Sequence, residues 1–115
     1  MSALLGVLSV LMLAQPPEPL DMDKLAYAVS VAESSACRSP VAQRLNNCHG
    51  IMRKGQYVEF ANTAESYAAF KYTWNKSYKR FPDRALAAKY SSESAADTWL
   101  CNVRRVYFRF PLICV

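Results

Sequence analysis

Glu33 closes the apolar helical stretch DMDKLAYAVSVAESS and stands just before Cys37 and Cys48, two cysteines that bracket a polar loop. A carboxyl at the C-terminal end of a helix faces the negative end of the helix dipole, and an apolar flank solvates it poorly. Both effects favour the protonated form. A carboxyl still protonated near neutral pH can hand a proton to a leaving oxygen, the general-acid step of glycoside cleavage. The competing reading is an ordinary surface charge at a frayed helix end.

The other residues able to do chemistry are few. Glu59 is the only carboxylate in the interval MRKGQYVE, residues 52–59, and on a strand it would share a face with Tyr57. His49 is the single histidine; beside a bridging cysteine and before a glycine, with no Ser or Cys triad pattern, it reads as a loop residue rather than a base. Trp74 and Trp99 fall at helical spacing and read as core, with a sugar platform as the alternative. Cys37, Cys48, His49, Cys101 and Cys114 lack CxxC or HxxxH spacing, so a zinc site is disfavoured and no metal or cofactor is expected. Four cysteines allow three connectivities. The preferred pairs are Cys37 with Cys48 and Cys101 with Cys114, each closing a short loop.

The elements that must position these groups follow from periodicity and caps. Asp21 caps a first helix whose stripe runs Met22, Leu25, Ala26, Val29, Glu33. Pro40, Asn46-Asn47, Gly50 and Gly55 make residues 37–56 an ordered loop or small lobe, with QYVEF a short strand. Asn62 and Glu65 form a capping box for a helix to about Lys79, patterned through Ala64, Tyr67, Ala68, Lys71, Trp74 and Tyr78. A shorter helix follows over Arg84 to Tyr90. The last helix has Ala96, Trp99, Leu100, Val103, Val106, Tyr107 and Phe110 on its apolar face and ends before Pro111. The expected fold is mainly α: one compact helical domain over 20–115 with a small loop or β-hairpin lobe after the first helix.

With 115 residues and 52% hydrophobic composition, the chain suits one packed domain and not a disordered one. A formal charge of +5 favours anionic partners, but the basic residues are scattered and carry no nucleic-acid-binding signature, so nucleic acid is disfavoured. Residues 1–19 combine an uncharged apolar run, SALLGVLSVLMLA, with a Pro-rich linker. The run is too short to cross a bilayer comfortably and suits a signal-peptide core or an anchor into a membrane or larger assembly through residues 3–14. Its flanks depart from a signal peptide in lacking a preceding Lys or Arg and in placing Met12 two residues before Ala14. With the even cysteine count it points to export: periplasmic or wall-facing, virion-associated, or membrane-anchored.

One ordered series of motifs spans residues 25–107: Glu33-Ser34 at a helix end, Ser39-Pro40-Val41-Ala42, the Asn46-Asn47 turn, Gly50-Ile51, then FANTAES at 60–66 and Tyr90. This series resembles the glucosaminidase branch of the lysozyme-like superfamily of peptidoglycan hydrolases. The resemblance implies a lysozyme-like fold and a metal-free glycosidase cutting β-1,4 bonds of peptidoglycan glycan strands. It implies Glu33 as general acid, Ser34 orienting the carboxyl or the sugar, Asn46 and Asn47 beside the substrate, and Tyr90 in the cleft stabilising the developing cation.

The chain departs from that family where many members carry a second glutamate, leaving Glu59 as the only nearby substitute. Inverting hydrolases need a second carboxylate ~6.5–9.5 Å away and retaining ones ~5–5.5 Å away. Open routes are therefore a positioned water, the substrate's acetamido group, or lytic transglycosylation. Gly50-Ile51-Met52 only partly echoes the transglycosylase Gly-Leu-Met-Gln motif, with Arg53 in place of glutamine. Two other classes stay open: a non-catalytic structural or membrane-tethered protein on the same fold, and a basic nucleic-acid or anionic-lipid binder.

Overall fold

Five helices and one hairpin make up the structure, a computed structural model that describes residues 19–111, 113 and 114. The signal-like or anchor segment expected at 1–19 lies outside the described residues, except for Pro19. Helix α1 (Met22–Ser34) starts where the Asp21 carboxylate accepts the N–H groups of Asp23 and Lys24, each at 3.1 Å, satisfying two donors that a helix start leaves open. It stops where Ser35, Ala36 and Cys37 all take positive φ. Leu25, Ala26, Ala28 and Val29 are wholly buried along it.

The loop expected after α1 contains a short helix, α2 (Pro40–Leu45), with Ser39 as N-cap, proline in its first turn and Asn46 closing it at φ 53°. Strands β1 (Met52–Arg53) and β2 (Gln56–Tyr57) pair antiparallel, Met52 opposite Tyr57 and Arg53 opposite Gln56. Lys54 and Gly55 turn the hairpin with φ of 52° and 75°, the positive pair that a two-residue turn requires. The expected strand QYVEF thus contributes only its first two residues. Glu59 lies beyond β2 and is exposed.

Helix α3 (Thr63–Ser77) is capped by Asn62, and Glu65 reaches back to the N–H of Ala61. Its buried line is Ser66, Phe70 and Trp74, whereas Ala64 and Ala68 face solvent. The bulky rings remove more apolar area from water than the alanines would, and Ser66 is drawn inside by its hydrogen bonds. Helices α4 (Arg84–Tyr90) and α5 (Ala96–Phe108) complete the domain. Phe110, expected on the apolar face of α5, lies outside it. The helix ends at Phe108, Arg109 turns at φ 57°, and Phe110 is half exposed.

The core joins α1, α3, α4 and α5 through Leu25, Val29, Phe70, Trp74, Leu86, Ala87, Leu100 and Val103. Helices α1 and α5 run antiparallel and make the most extensive contact in the fold. At one end the Asp21 N–H donates to the Tyr107 hydroxyl at 2.9 Å; at the other, Trp99 meets Glu33. Disulfides join Cys37 to Cys48 and Cys101 to Cys114, the preferred pairing. No described helix is long and apolar enough to cross a membrane.

Asn47 holds the hairpin to this frame. Its side-chain amide donates to the carbonyls of Ile51 and Val58 at 2.8 and 2.9 Å, and its oxygen accepts the Ile51 N–H at 3.0 Å. Asn47→Ala leaves all three backbone groups without these partners and should cost about 2–4 kcal/mol. Urea unfolding should show the loss as a lower midpoint at unchanged slope. A midpoint equal to wild type would show that the hairpin is held by something else.

Candidate active site

The Glu33 side chain lies where three pieces of chain converge: the last turn of α1, the first turn of α5 and the loop leading into β1. The Trp99 indole N–H donates to Oε1 at 2.8 Å. The other oxygen, Oε2, lies against Gly50. A Cβ on that glycine would fall 2.6 Å from Oε2, and its φ of +66° is one that L side chains rarely adopt, so no other residue fits without displacing the carboxyl.

Gly50 is also the seam between two recesses. One, of about 60 Å³, is lined by Glu33, Ser39, Val41 and Tyr57 among others. The other, of about 310 Å³, is lined by Met52, Thr73, Tyr78, Lys89 and Tyr90 with Gly50. Met52 and Tyr57 are cross-strand partners, half exposed, and stand one beside each recess. A molecule lying across Gly50 would pass the Glu33 carboxyl with an apolar side chain on either hand.

Burial pushes the Glu33 carboxyl up to about 7, against a smaller opposing effect of the Trp99 N–H. With Oε1 accepting that N–H, Oε2, the oxygen at the seam, is the one placed to carry the proton when the carboxyl is neutral. Burial likewise raises the Tyr90 phenol, with the Glu33 charge adding to the effect.

The other residues singled out by sequence are close by but differently employed. The Tyr90 hydroxyl donates to the His49 carbonyl at 2.7 Å, which fixes the residue next to Gly50, while its ring lies 5.4 Å from that of Trp99 and lines the larger recess. Ser34 lines the smaller recess with Glu33, but its hydroxyl is directed to backbone. Its hydroxyl lies 2.9 Å from the Ser30 carbonyl and 2.7 Å from that of Cys48, and it accepts the Cys37 N–H, tying the end of α1 to the disulfide loop. The amides of Asn46 and Asn47 are occupied by backbone, Asn46 donating to the carbonyls of Phe60 and Ala61 and Asn47 to those of Ile51 and Val58, although Asn47 lines the smaller recess with Glu33. Glu59 lines neither recess, and no second carboxylate among the described residues does.

His49 is wholly buried. Its Nε2 lies 2.9 Å from the Ala26 carbonyl, so Nε2 carries the proton and Nδ1 accepts from the Ser66 hydroxyl at 2.8 Å. Ser66 in turn accepts the Cys48 N–H at 3.0 Å. Burial lowers the imidazole to about 4, so it stays neutral and serves as a buried link between α1, α3 and the loop.

Sequence reasoning missed Trp99 as the partner of Glu33, Gly50 as the spacer beneath it, and the pair Met52 and Tyr57. The positive φ that a Gly50 turn requires was the available signal for the second; the first depends on how α1 and α5 pack. No three of His, Cys, Asp or Glu among the described residues are grouped to hold a metal ion. No protein-family model, curated protein or solved structure matches the chain.

Stability should report the Glu33 titration. Its folded value lies above its ordinary value of 4.5, so its contribution is fully present below pH 4.5 and is lost as pH rises through about 7. His49 has the opposite sign, its contribution being full above pH 6.5 and lost as pH falls through about 4. Between these limits the two slopes oppose, and above pH 6.5 that of Glu33 acts alone. Glu33→Gln should therefore match wild type near pH 4.5 and exceed it at pH 8, by up to about 3 kcal/mol from the size of the shift. Chemical denaturation across this range measures the gap; a gap constant with pH would contradict the buried proton.

Proposed function

We propose that the chain is a glycosidase acting on the β-1,4-linked amino-sugar backbone of peptidoglycan, with Glu33 as its general acid. The observation that carries this reading is the Glu33 carboxyl itself, largely removed from water so that its protonated form is favoured, held by the Trp99 N–H and turned to the seam between two recesses. The ordered motifs from Glu33-Ser34 to Tyr90 support the lysozyme-like reading of the fold and the choice of substrate.

In this reading a glycan strand lies across Gly50 against Tyr57 and Met52, as sugar faces lie on apolar side chains. The Oε2 proton passes to the glycosidic oxygen as the C1–O bond breaks, and positive charge develops on the sugar ring. The Glu33 carboxylate left behind is the base for the second half. It takes a proton from the hydroxyl that attacks C1, either water, giving a reducing end, or the sugar's own O6, giving an anhydro ring. A lining with a single carboxylate favours these routes, or attack by the substrate acetamido group, over one with a second acidic residue. The Trp99 N–H serves both halves: it orients the neutral acid and stabilises the carboxylate formed after transfer.

The same single carboxylate favours a second reading, a non-catalytic structural protein that keeps this architecture. Digestion of purified peptidoglycan followed by mass analysis of the soluble fragments separates the two. Wild type should release muropeptides, with kcat/KM falling as pH rises through about 7 because the acid is lost. Glu33→Gln should lower the rate by about 10²–10⁴-fold, the usual scale for removing a general acid. Release that survives the substitution removes Glu33 from the chemistry, and no release by wild type selects the structural reading. The mass of the terminal sugar identifies the attacking hydroxyl.

A further inference from the structure

We propose that the end of the molecule away from Glu33 docks on the headgroup surface of an anionic lipid bilayer. This inference does not depend on the glycosidase reading.

Phe108 and Phe110 are about half exposed, at 46% and 50%, and stack with ring centres 5.3 Å apart; Phe81 packs on Phe108 at 5.1 Å. Single exposed apolar residues are ordinary, but a contiguous aromatic patch marks an interaction surface.

The basic residues of this end make the patch complementary to anionic lipid rather than to a neutral apolar partner. The groove beside it, of about 600 Å³, is lined by Lys79 and Arg80 together with Phe81, Tyr107 and Phe108. Arg109 separates the two stacked rings in sequence, and Lys24 lies over the Tyr107 ring at 4.9 Å. Asp83 offsets part of the charge by pairing with Arg80 at 2.7 Å, and Asp21 and Asp23 lie at the same end. Aromatic side chains flanked by Lys and Arg suit the zone between acyl chains and charged headgroups.

Pro19 and Leu20 line the same groove, so the chain continuing from the apolar run SALLGVLSVLMLA rejoins the described fold at this patch. A single weak apolar anchor gives marginal binding, and stable attachment takes a second signal, which a basic aromatic surface supplies. Geometry also gives the docking a direction. Asp21, bonded to Tyr107, marks the groove end of α1, and Glu33 lies near its other end. At 1.5 Å rise per residue α1 holds the carboxyl roughly 18 Å along the helix from the lipid contact.

The test is co-sedimentation of the full chain with phosphatidylglycerol-containing vesicles and with pure phosphatidylcholine vesicles, at low and high salt. Wild type should prefer the anionic vesicles and lose affinity as salt rises. Phe108→Ser with Phe110→Ser should weaken binding by at least about tenfold, from the apolar area removed. Lys79→Gln with Arg109→Gln should weaken it by about thirtyfold, at roughly 1 kcal/mol per cation. Tyr72→Ser, which removes an aromatic 68% exposed on α3, should bind as wild type. Equal wild-type binding to both vesicle types, or to neither, overturns the proposal even if the variants fail to fold. Unchanged binding by both folded patch variants does so as well. Self-association that the Phe variants abolish without vesicles would reassign the patch to a second copy of the chain.

Discussion

A hydrogen bond of 2.8 Å from the Trp99 indole to one oxygen of Glu33 joins the C-terminal end of α1 to the start of α5, and most of the site's geometry depends on it. The carboxyl is poorly solvated, so its neutral form is favoured, yet it is not without a partner. A buried carboxyl lacking any donor would rotate or draw in water; one with several donors would ionise. One indole N–H fixes the rotamer while leaving the proton in place. The other oxygen is aimed by exclusion, because Gly50 offers no side chain to displace it.

Keeping that glycine in position is the task of the surrounding loop. The Cys37–Cys48 bridge ties the loop to the end of α1, and Ser34 reinforces the tie by contacting the Cys48 carbonyl. His49 links the loop to Ala26 on α1 and Ser66 on α3, and Tyr90 holds the His49 carbonyl from α4. Among the described residues no buried side-chain nitrogen or oxygen lacks a hydrogen-bond partner. Burial favours the neutral form of three groups in this region, Glu33, His49 and Tyr90, and Glu33 and His49 differ in their access to solvent. One is turned to a recess and available for proton transfer; the other is enclosed and serves as a fastener.

Three of the helices, α1, α3 and α4, were legible in the sequence because their signals are local, whereas the short α2 within the expected loop was not. Asp21, Asn62 and the FPD break mark helix starts by side-chain hydrogen bonding and fixed φ, and the structure places α1, α3 and α4 within a residue or two of those marks. The cysteine pairs were legible from loop length. The position of Glu33 at the end of a buried stripe was legible from periodicity. What was not legible depends on contacts between distant segments. Trp99 reads as one more apolar residue of α5 until α1 is laid against it, 66 residues away in sequence. Asn46 and Asn47 carry amides that suit sugar or backbone equally, and only the return of Phe60 and Ile51 to the turn shows that backbone takes them. Ser66 reads as a polar helix position until the buried histidine is seen to need its hydroxyl.

The central claim is that the Glu33 carboxyl stays protonated because the fold dries it while supplying a single donor. The direct measurement is the side-chain carboxyl ¹³C shift of Glu33 followed by NMR through a pH titration, in wild type and in Trp99→Phe. The account predicts a wild-type midpoint near 7 and a higher one in the variant, since the indole N–H lowers the value. A wild-type midpoint near the ordinary 4.5, unchanged by loss of the indole, would contradict it.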